Sequence, residues 1–398
     1  MKIERVPPSR PRGPPRMVLT HVLLSAWAAP GPMRDCPLPP DLQRRWDRGT
    51  LTEAELPSQL EAWRTAHPDR YGVTEPPPAG TTLVPDFAPM DTLHVALPGW
   101  YDHDETYTTL LALASKHGRV RASVMWREDV ERIRRRLEGL GARLDRITFE
   151  IEHPVDTIWM RDYGPVPVNG PGGPGVLDFG FAPDCTSDDA YPTTSRRPGG
   201  AVWRVPLYLE GGNLQTDGLG SCFTTEDTLQ DGALALQDLE STLARWAGCE
   251  RLVVLEALEG NVARHVDMFL TPAPDGVLLL ASFDPVEQPA NHAIMTRNRR
   301  RLEAATTAGG PAWKLVDIPT PPPVKRAGRA PHIRTWNNLL PFNGVVLVPD
   351  FLGSPTERVV RAWNAIAEAF PGREVRAVPS DVLVPYGGTV HCVARGEP

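Results

Sequence analysis

The 398-residue chain has no C-x-x-C pair, no basic excess and no long apolar run. Its five cysteines, Cys36, Cys185, Cys222, Cys249 and Cys392, stand far apart. That spacing excludes the usual zinc-finger and thioredoxin-like motifs. An odd number leaves at least one thiol free even where the others pair, and the sequence alone does not pair them. Lys and Arg number 42 against 49 Asp and Glu, a net charge of -7. A nucleic acid is therefore not the expected partner, because phosphate asks for a basic face. A mildly acidic surface suits a cationic ligand instead. No segment reaches the eighteen or so apolar residues that a membrane-spanning helix requires, so no membrane span is expected.

What is there reads as a globular protein, with 41% hydrophobic and 23% charged residues. Its length allows one large core or two smaller ones. Residues 1–37 read as a leader. "RPRGPPRMVLTHVLLSAWAAPGP" has arginines, a short apolar run from Met17 interrupted by His21, then Ala26-Trp27-Ala28. This is the pattern of a signal peptide with an A-x-A cleavage site; a disordered Pro/Arg-rich extension is the other reading. The first predicts a secreted or periplasmic protein, the second a cytoplasmic one. Residues 38–86 read as a Pro-rich lead-in with one amphipathic stretch, "LTEAELPSQLEAWRTAH".

From residue 87 to 398 the texture changes. Strand-like runs appear, among them "TLHVALPGW", "RASVMWR", "RITFEIEH", "AVWRVPLYLEGG", "RLVVLEAL", "GVLLLASF", "GVVLVPDF" and "EVRAVP". Between many of them lie helical stretches such as "EDVERIRRRLEGLGA", "GALALQDLESTLARWAG", "ANHAIMTRNRRRLEAA" and "PTERVVRAWNAIAEAF". The mixture is α/β. A strand–helix–strand unit returns every sixty residues or so, which points to internal repetition. "TPPPVKRAGRAP" reads as a loop between units.

Five segments carry candidate chemistry. "WMRDYGP" holds Trp159, Arg161 and Asp162. "LEGGNLQTDGLG" holds Glu210, Asn213 and Asp217. "RHVDMF" holds His265 and Asp267, which on a strand would share one face. "TWNNLLPFN" holds Asn338. "GGTVHC" holds Gly387, Gly388 and Cys392. Singly, each has an ordinary reading as a turn, a surface pair or a core filler.

Jointly and in this order, they resemble the agmatine deiminase and Porphyromonas-type peptidyl-arginine deiminase family. That family shows W-x-R-D-x-G-P, E-G-G-N with a following D-G, G-H-V-D, an N-rich strand and a terminal G-G-x-x-H-C. The resemblance covers residues 87–398 and implies a guanidino-deiminase domain there, folded as a five-bladed α/β propeller (pentein) of ββαβ-type repeats. It also implies the reaction: a guanidino group becomes a ureido group and ammonia through a Cys thiouronium adduct.

The residues suit that chemistry. A guanidinium carbon is a poor electrophile, so attack needs a thiolate, and Cys392 fits. Asp162 and Asp267 would grip the cation through its fork of N–H donors. His265 would protonate departing ammonia and then deprotonate water, oriented by Glu210. The cationic imidazole and the substrate's own charge are both expected to favour thiolate. Asn338, Trp159, Asn213, Gly387 and Gly388 are expected to support the site. Arg161 reads as a structural partner and Asp217 as a turn cap. No metal or organic cofactor is needed.

Substrate choice rests on one segment. Peptidyl-arginine members hold a carboxylate with arginines after a "VDF"-like strand. Here that stretch is "LDFGFAPDCTSDDAYPTTSRRPGG", with Pro183, Asp184 and Cys185 where arginines are expected and Arg196 and Arg197 further on. Asp184, Asp188 or Asp189 could instead face the ammonium of agmatine, and Tyr386 is placed to narrow the pocket. The leader tilts the expectation to arginine in peptides or proteins. Agmatine, giving N-carbamoylputrescine for putrescine biosynthesis, is the alternative. An amidinotransferase and a non-catalytic binding module rank below both.

Overall fold

The structure, a computed structural model, describes residues 36–97, 103–124, 126–151, 155–182, 184–195, 200–231, 234–307, 312–326 and 329–398. The leader up to residue 35, Pro183, Arg196 and Arg197 lie outside the described residues.

Five sheets repeat one topology, in which an antiparallel pair is extended by a parallel strand. Leu270–Ala273 pairs antiparallel with Val277–Ser282, which pairs parallel with Lys314–Pro319. Leu340–Phe342, Val345–Asp350 and Glu374–Pro379 repeat the pattern. So do Val166–Gly170, Gly173–Gly180 and Ala201–Tyr208, and Gln215–Thr216, Ser221–Thr225 and Arg251–Leu255. The remaining sheet joins the two ends of the domain: Ala394–Glu397 pairs antiparallel with Thr92–Leu97, followed by Arg119–Val124 and Ile147–Glu150. This is the expected five-bladed α/β propeller.

The central strands read as near-continuous apolar runs because they are covered on both faces. Val345–Asp350 is buried at every position but its last. Helices cover the outside. Leu236–Ala247 buries Leu239, Leu243 and Trp246, and Thr356–Ala369 buries Ala362, Ile366 and Ala369, each at helical spacing. Helix Asp104–Ala114 was not visible in the sequence. Eight of its residues are buried, all round its surface, so no polar face marks its period. Strands Val166–Gly170 and Gly173–Gly180 were hidden by their Gly and Pro content, which reads as turn.

"TPPPVKRAGRAP" is not wholly loop. Val324–Arg326 and Arg329–His332 pair with each other, apart from the five sheets. Short strands of Lys and Arg between prolines have no apolar alternation to announce them.

The lead-in is tied to the blades. Leu56–Ala66 forms the expected helix, and its buried Arg64 reaches Asp189 at 2.9 Å. Cys36 is disulfide-bonded to Cys185, and Cys222 to Cys249, leaving Cys392 as the free cysteine. Among the described residues no helix is long and apolar enough to cross a membrane.

Candidate active site

Each motif singled out in the sequence ends just before the first strand of a blade. Trp159–Gly164 precedes Val166–Gly170, and Glu210–Asn213 precedes Gln215–Thr216. His265–Met268 precedes Leu270–Ala273, Trp336–Asn338 precedes Leu340–Phe342, and Gly387–Cys392 precedes Ala394–Glu397. Residues far apart in the chain therefore occupy equivalent places in five repeats. The turn Met160–Tyr163 packs on Gly211–Asn213, which packs on Val266–Met268.

One cavity of about 110 Å³ opens onto this junction. Cys392, Asp162, Glu210, Trp159, Gly387, Gly388 and Tyr386 contribute to its lining. His265 and Asp267 lie directly behind, both buried. They do not share a strand face. His265 is extended, and Val266–Met268 is one turn of 3-10 helix, so a tight bend rather than strand alternation brings imidazole and carboxylate together.

The thiol sits 3.1 Å from the amide nitrogen of Asn338 and 3.6 Å from Oδ2 of Asp267. Oδ1 of Asn338 accepts from the backbone and hydroxyl of Thr389, at 2.9 and 2.7 Å, so its NH2 group is turned toward the sulfur. A Cβ on Gly388 would stand 2.6 Å from Sγ, so only glycine lets the chain pass there. Gly387 turns it with φ +97. A Cβ on Gly212 would meet Asp162 and His265 at 2.7 Å each; its N–H instead donates to Asp162 Oδ1 at 3.1 Å.

His265 Nε2 lies 2.6 Å from Glu210 Oε2, while Nδ1 stands 3.5 Å from Asp162 Oδ1. Burial opposes a charged ring, yet Asp162 and the Glu210 hydrogen bond outweigh it and raise the His265 pKa to about 10. Burial, reinforced by Glu210 and Asp267 and opposed by His265, pushes Asp162 up to about 7. Burial and the charges of Asp267 and Asp162 push the Cys392 thiol well above its ordinary value. The resting sulfur is thus a neutral thiol. The expected help from a cationic His265 is outweighed until a cation enters.

Two buried polar atoms here have no hydrogen-bond partner: Asp267 Oδ1 and His265 Nδ1. Asp267 Oδ1 is an acceptor that a ligand supplying N–H donors would satisfy, whereas the protonated Nδ1 of His265 is itself a donor, 3.5 Å from Asp162 Oδ1. Asp162, Glu210 and His265 also offer donor atoms within 4.8 Å of one another, close enough to hold a metal ion. Without a metal, Asp162 and Glu210 hold the ring as imidazolium, whose proton a metal would have to displace. The set fits a cation that brings its own hydrogens.

These pKa values set a pH profile. The Asp162 carboxylate forms as pH rises through about 7, and the His265 imidazolium persists until about 10. The kcat/KM should rise through the first value and fall through the second. Initial rates across that range check it; a flat profile contradicts the pairing.

Asn213 supports the site from outside the cavity. Its Nδ2 donates to Thr225 and Thr228 at 3.0 and 2.9 Å. Its Oδ1 accepts from Val266 N at 3.0 Å, fixing the His265 turn. Asp217 caps its turn through Leu219 N and Ser221 N and also takes the Trp313 indole N–H. Arg161 is structural, as expected: it is buried and donates to Asp86 at 2.8 Å. Arg264 replaces the glycine of the G-H-V-D pattern and keeps a positive φ of 56. Its side chain is tied to Asp227 and its carbonyl to the Thr225 hydroxyl, which holds a conformation that otherwise favours glycine.

Two residues were missed. His391 bridges Asp267 Oδ2 at 2.6 Å and Asp86 Oδ2 at 2.9 Å. Against burial, Arg161 and His391 hold the Asp86 carboxyl well below its usual range. The chain Arg161–Asp86–His391–Asp267 orients the carboxylate beside the thiol. Replacing His391 with Gln, which cannot span both carboxylates, should cost about 10- to 100-fold in kcat/KM, mainly through KM. Asp86→Asn should shift KM the same way by less. Steady-state kinetics on both variants reads this directly; an unchanged KM denies the positioning role.

The sequence profile of the Porphyromonas-type peptidyl-arginine deiminase family matches residues 87–398. An agmatine deiminase of Pseudomonas fluorescens is 28% identical over 298 residues, covering 66% of this chain and 80% of that one. The structure of an Enterococcus faecalis agmatine deiminase superposes with a TM-score of 0.71 at 21% identity, over 82% of this chain and 99% of that one. A Campylobacter jejuni agmatine deiminase gives 0.67 at 18% identity, over 80% and 96%. Both likenesses are of fold, and that fold is the pentein propeller. With the profile spanning the whole propeller, the chain belongs to the Porphyromonas-type peptidyl-arginine deiminase family, hydrolases that deiminate a guanidino group at an amidine C–N bond.

Proposed function

We propose that this chain deiminates a small guanidino substrate, agmatine before peptidyl-arginine, through a covalent adduct on Cys392. The observation behind this is the unpartnered carboxylate oxygen Asp267 Oδ1 beside the free thiol, with the protonated His265 next to it. The guanidinium donates to Asp162 and Asp267, whose charges had held the thiol protonated. Its positive charge cancels theirs, so binding favours thiolate, and the thiol proton leaves to solvent through the open mouth of the cavity.

The thiolate attacks the guanidinium carbon and forms a C–S bond. His265 gives its proton to the departing nitrogen, the C–N bond breaks and ammonia leaves. The neutral imidazole then takes a proton from water, whose oxygen adds to the same carbon. The C–S bond breaks, the adduct's hydroxyl proton passes to the departing sulfur, and the thiol and a neutral ureido product result. Water enters, ammonia leaves, and no electrons are transferred. Asn338 donates to the sulfur in its charged form.

Arginine in peptides was the first expectation from sequence. Relatives named agmatine deiminase support the alternative. So does a cavity with no arginine in its wall among the described residues. The test is incubation of reduced protein with agmatine, free arginine and an arginine-ended peptide, reading ammonia and ureido product. Agmatine as the best substrate is the expected result. Release of an amine without ammonia would point to amidino transfer.

The reading extends to location. Disulfides persist in oxidising compartments, and Cys36–Cys185 and Cys222–Cys249 support export through the leader. Intact mass of the exported protein should show a chain starting at Ala29 with two disulfides. A full-length cytoplasmic protein with all thiols reduced overturns it.

A further inference from the structure

The acid-rich stretch after Phe181 promised a counter-charge for an ammonium tail, yet its carboxylates are engaged elsewhere. Asp188 accepts from Asp156 N and the Thr157 hydroxyl, each at 2.7 Å. Asp189 accepts from Phe181 N and Arg64 at 2.9 Å and from Arg204 at 2.8 Å. Asp156 in turn accepts from Ser187 N at 2.8 Å and Asp188 N at 3.2 Å. Burial raises both Asp156 and Asp188, and their mutual repulsion adds to it for Asp188. Asp188 and Asp189 are fully buried, and none of Asp156, Asp184, Asp188 and Asp189 lines the cavity.

These carboxylates brace a wall from behind. What that wall presents to the cavity is Phe181, Ala182 and the disulfide-bonded Cys185, with Trp159 packed against the same cluster, and Thr157, Val262 and Tyr386 also line the cavity. Among the described residues the charged groups of the cavity lining, Asp162 and Glu210, belong to the guanidinium end. An alkyl chain leaving the guanidinium therefore runs along apolar side chains and half of a disulfide. A terminal ammonium would meet no carboxylate among the described residues that line this wall and would stay hydrated at the mouth.

The geometry points to a tail subsite that recognises an uncharged alkyl chain by contact rather than an ammonium by charge, which makes N-alkylguanidines substrates on a par with agmatine. This rests on the deimination reading above. The analogue of agmatine without the tail charge is n-butylguanidine, and methylguanidine is the same head without the tail.

The experiment measures kcat/KM for agmatine, n-butylguanidine and methylguanidine with the full-length protein. It is kept in a mild monothiol, with the two disulfides verified by mass. The expected result is n-butylguanidine within about fivefold of agmatine, and methylguanidine at least about 100-fold worse, since each lost methylene contact costs about tenfold. Phe181→Ala should lower the n-butylguanidine value about tenfold while sparing methylguanidine. Ala182→Asp, at a half-exposed position, should tilt selectivity at least about tenfold toward agmatine, because it supplies the missing charge. Agmatine favoured by about 100-fold or more in the unmodified protein overturns the inference and leaves deimination standing. An Ala182→Asp variant with unchanged selectivity also overturns it. Turnover of none of the three overturns the deimination reading, and this inference with it.

Discussion

Cys392→Ala should lower turnover by about 10⁴-fold or more while leaving guanidine binding and the fold intact. Losing a nucleophile removes the covalent route outright, so its effect exceeds that of any neighbour. Binding should survive because the cation's partners, Asp162 and Asp267, are untouched. It should even tighten slightly, since no thiol then competes for Asp267. The structural cost is small. Sγ is buried, and its loss strands one Asn338 N–H donor, worth about 1–3 kcal/mol. A modest drop in Tm, retained agmatine binding by calorimetry and absent ammonia release form the expected set. Substantial ammonia release from this variant removes Cys392 from the mechanism.

His265→Gln carries the next largest effect, about 10³-fold in kcat, within the 10²–10⁴ range of a positioned acid–base group. Glutamine can still hydrogen-bond Glu210, so the pocket should keep its shape. It cannot carry a proton to the leaving nitrogen or take one from water. The high-pH limb near 10, which belongs to His265, should vanish, while the Asp162 limb persists but moves upward, because the imidazolium that held it down is gone. Losing both limbs together would mean that His265 shapes the pocket rather than moving protons. A kcat within tenfold of the parent would exclude it as the acid.

Most of the catalytic set was legible because its chemistry demands rare residue types at short spacing. Arg161-Asp162, Glu210 with its glycines, His265-x-Asp267 and the terminal Cys392 after its two glycines keep local order that survives in one dimension. The glycines were legible too, since a Cβ at Gly212 or Gly388 would collide with the very groups it serves. Asp86 was not. It lies 305 residues from His391 in sequence and meets it because the two ends of the domain share a sheet. The geometry of His265 and Asp267 was misjudged for a local reason: a 3-10 turn and a strand both bring such a pair together, and alternation alone does not tell them apart.

The amino-acid order by itself determined the α/β class and the repeated unit, and through the family resemblance of its motifs it pointed to the candidate nucleophile, its histidine and its carboxylates. Those follow from side-chain chemistry and hydrophobic period, which are local properties. Tertiary structure alone decided that the thiol rests protonated and that His391 and Asp86 hold Asp267. It also decided that the acids after Phe181 face inward to brace a wall rather than outward to meet a ligand. Each of those depends on burial and on charges brought close from distant parts of the chain, and neither quantity exists until the five blades close around the cavity.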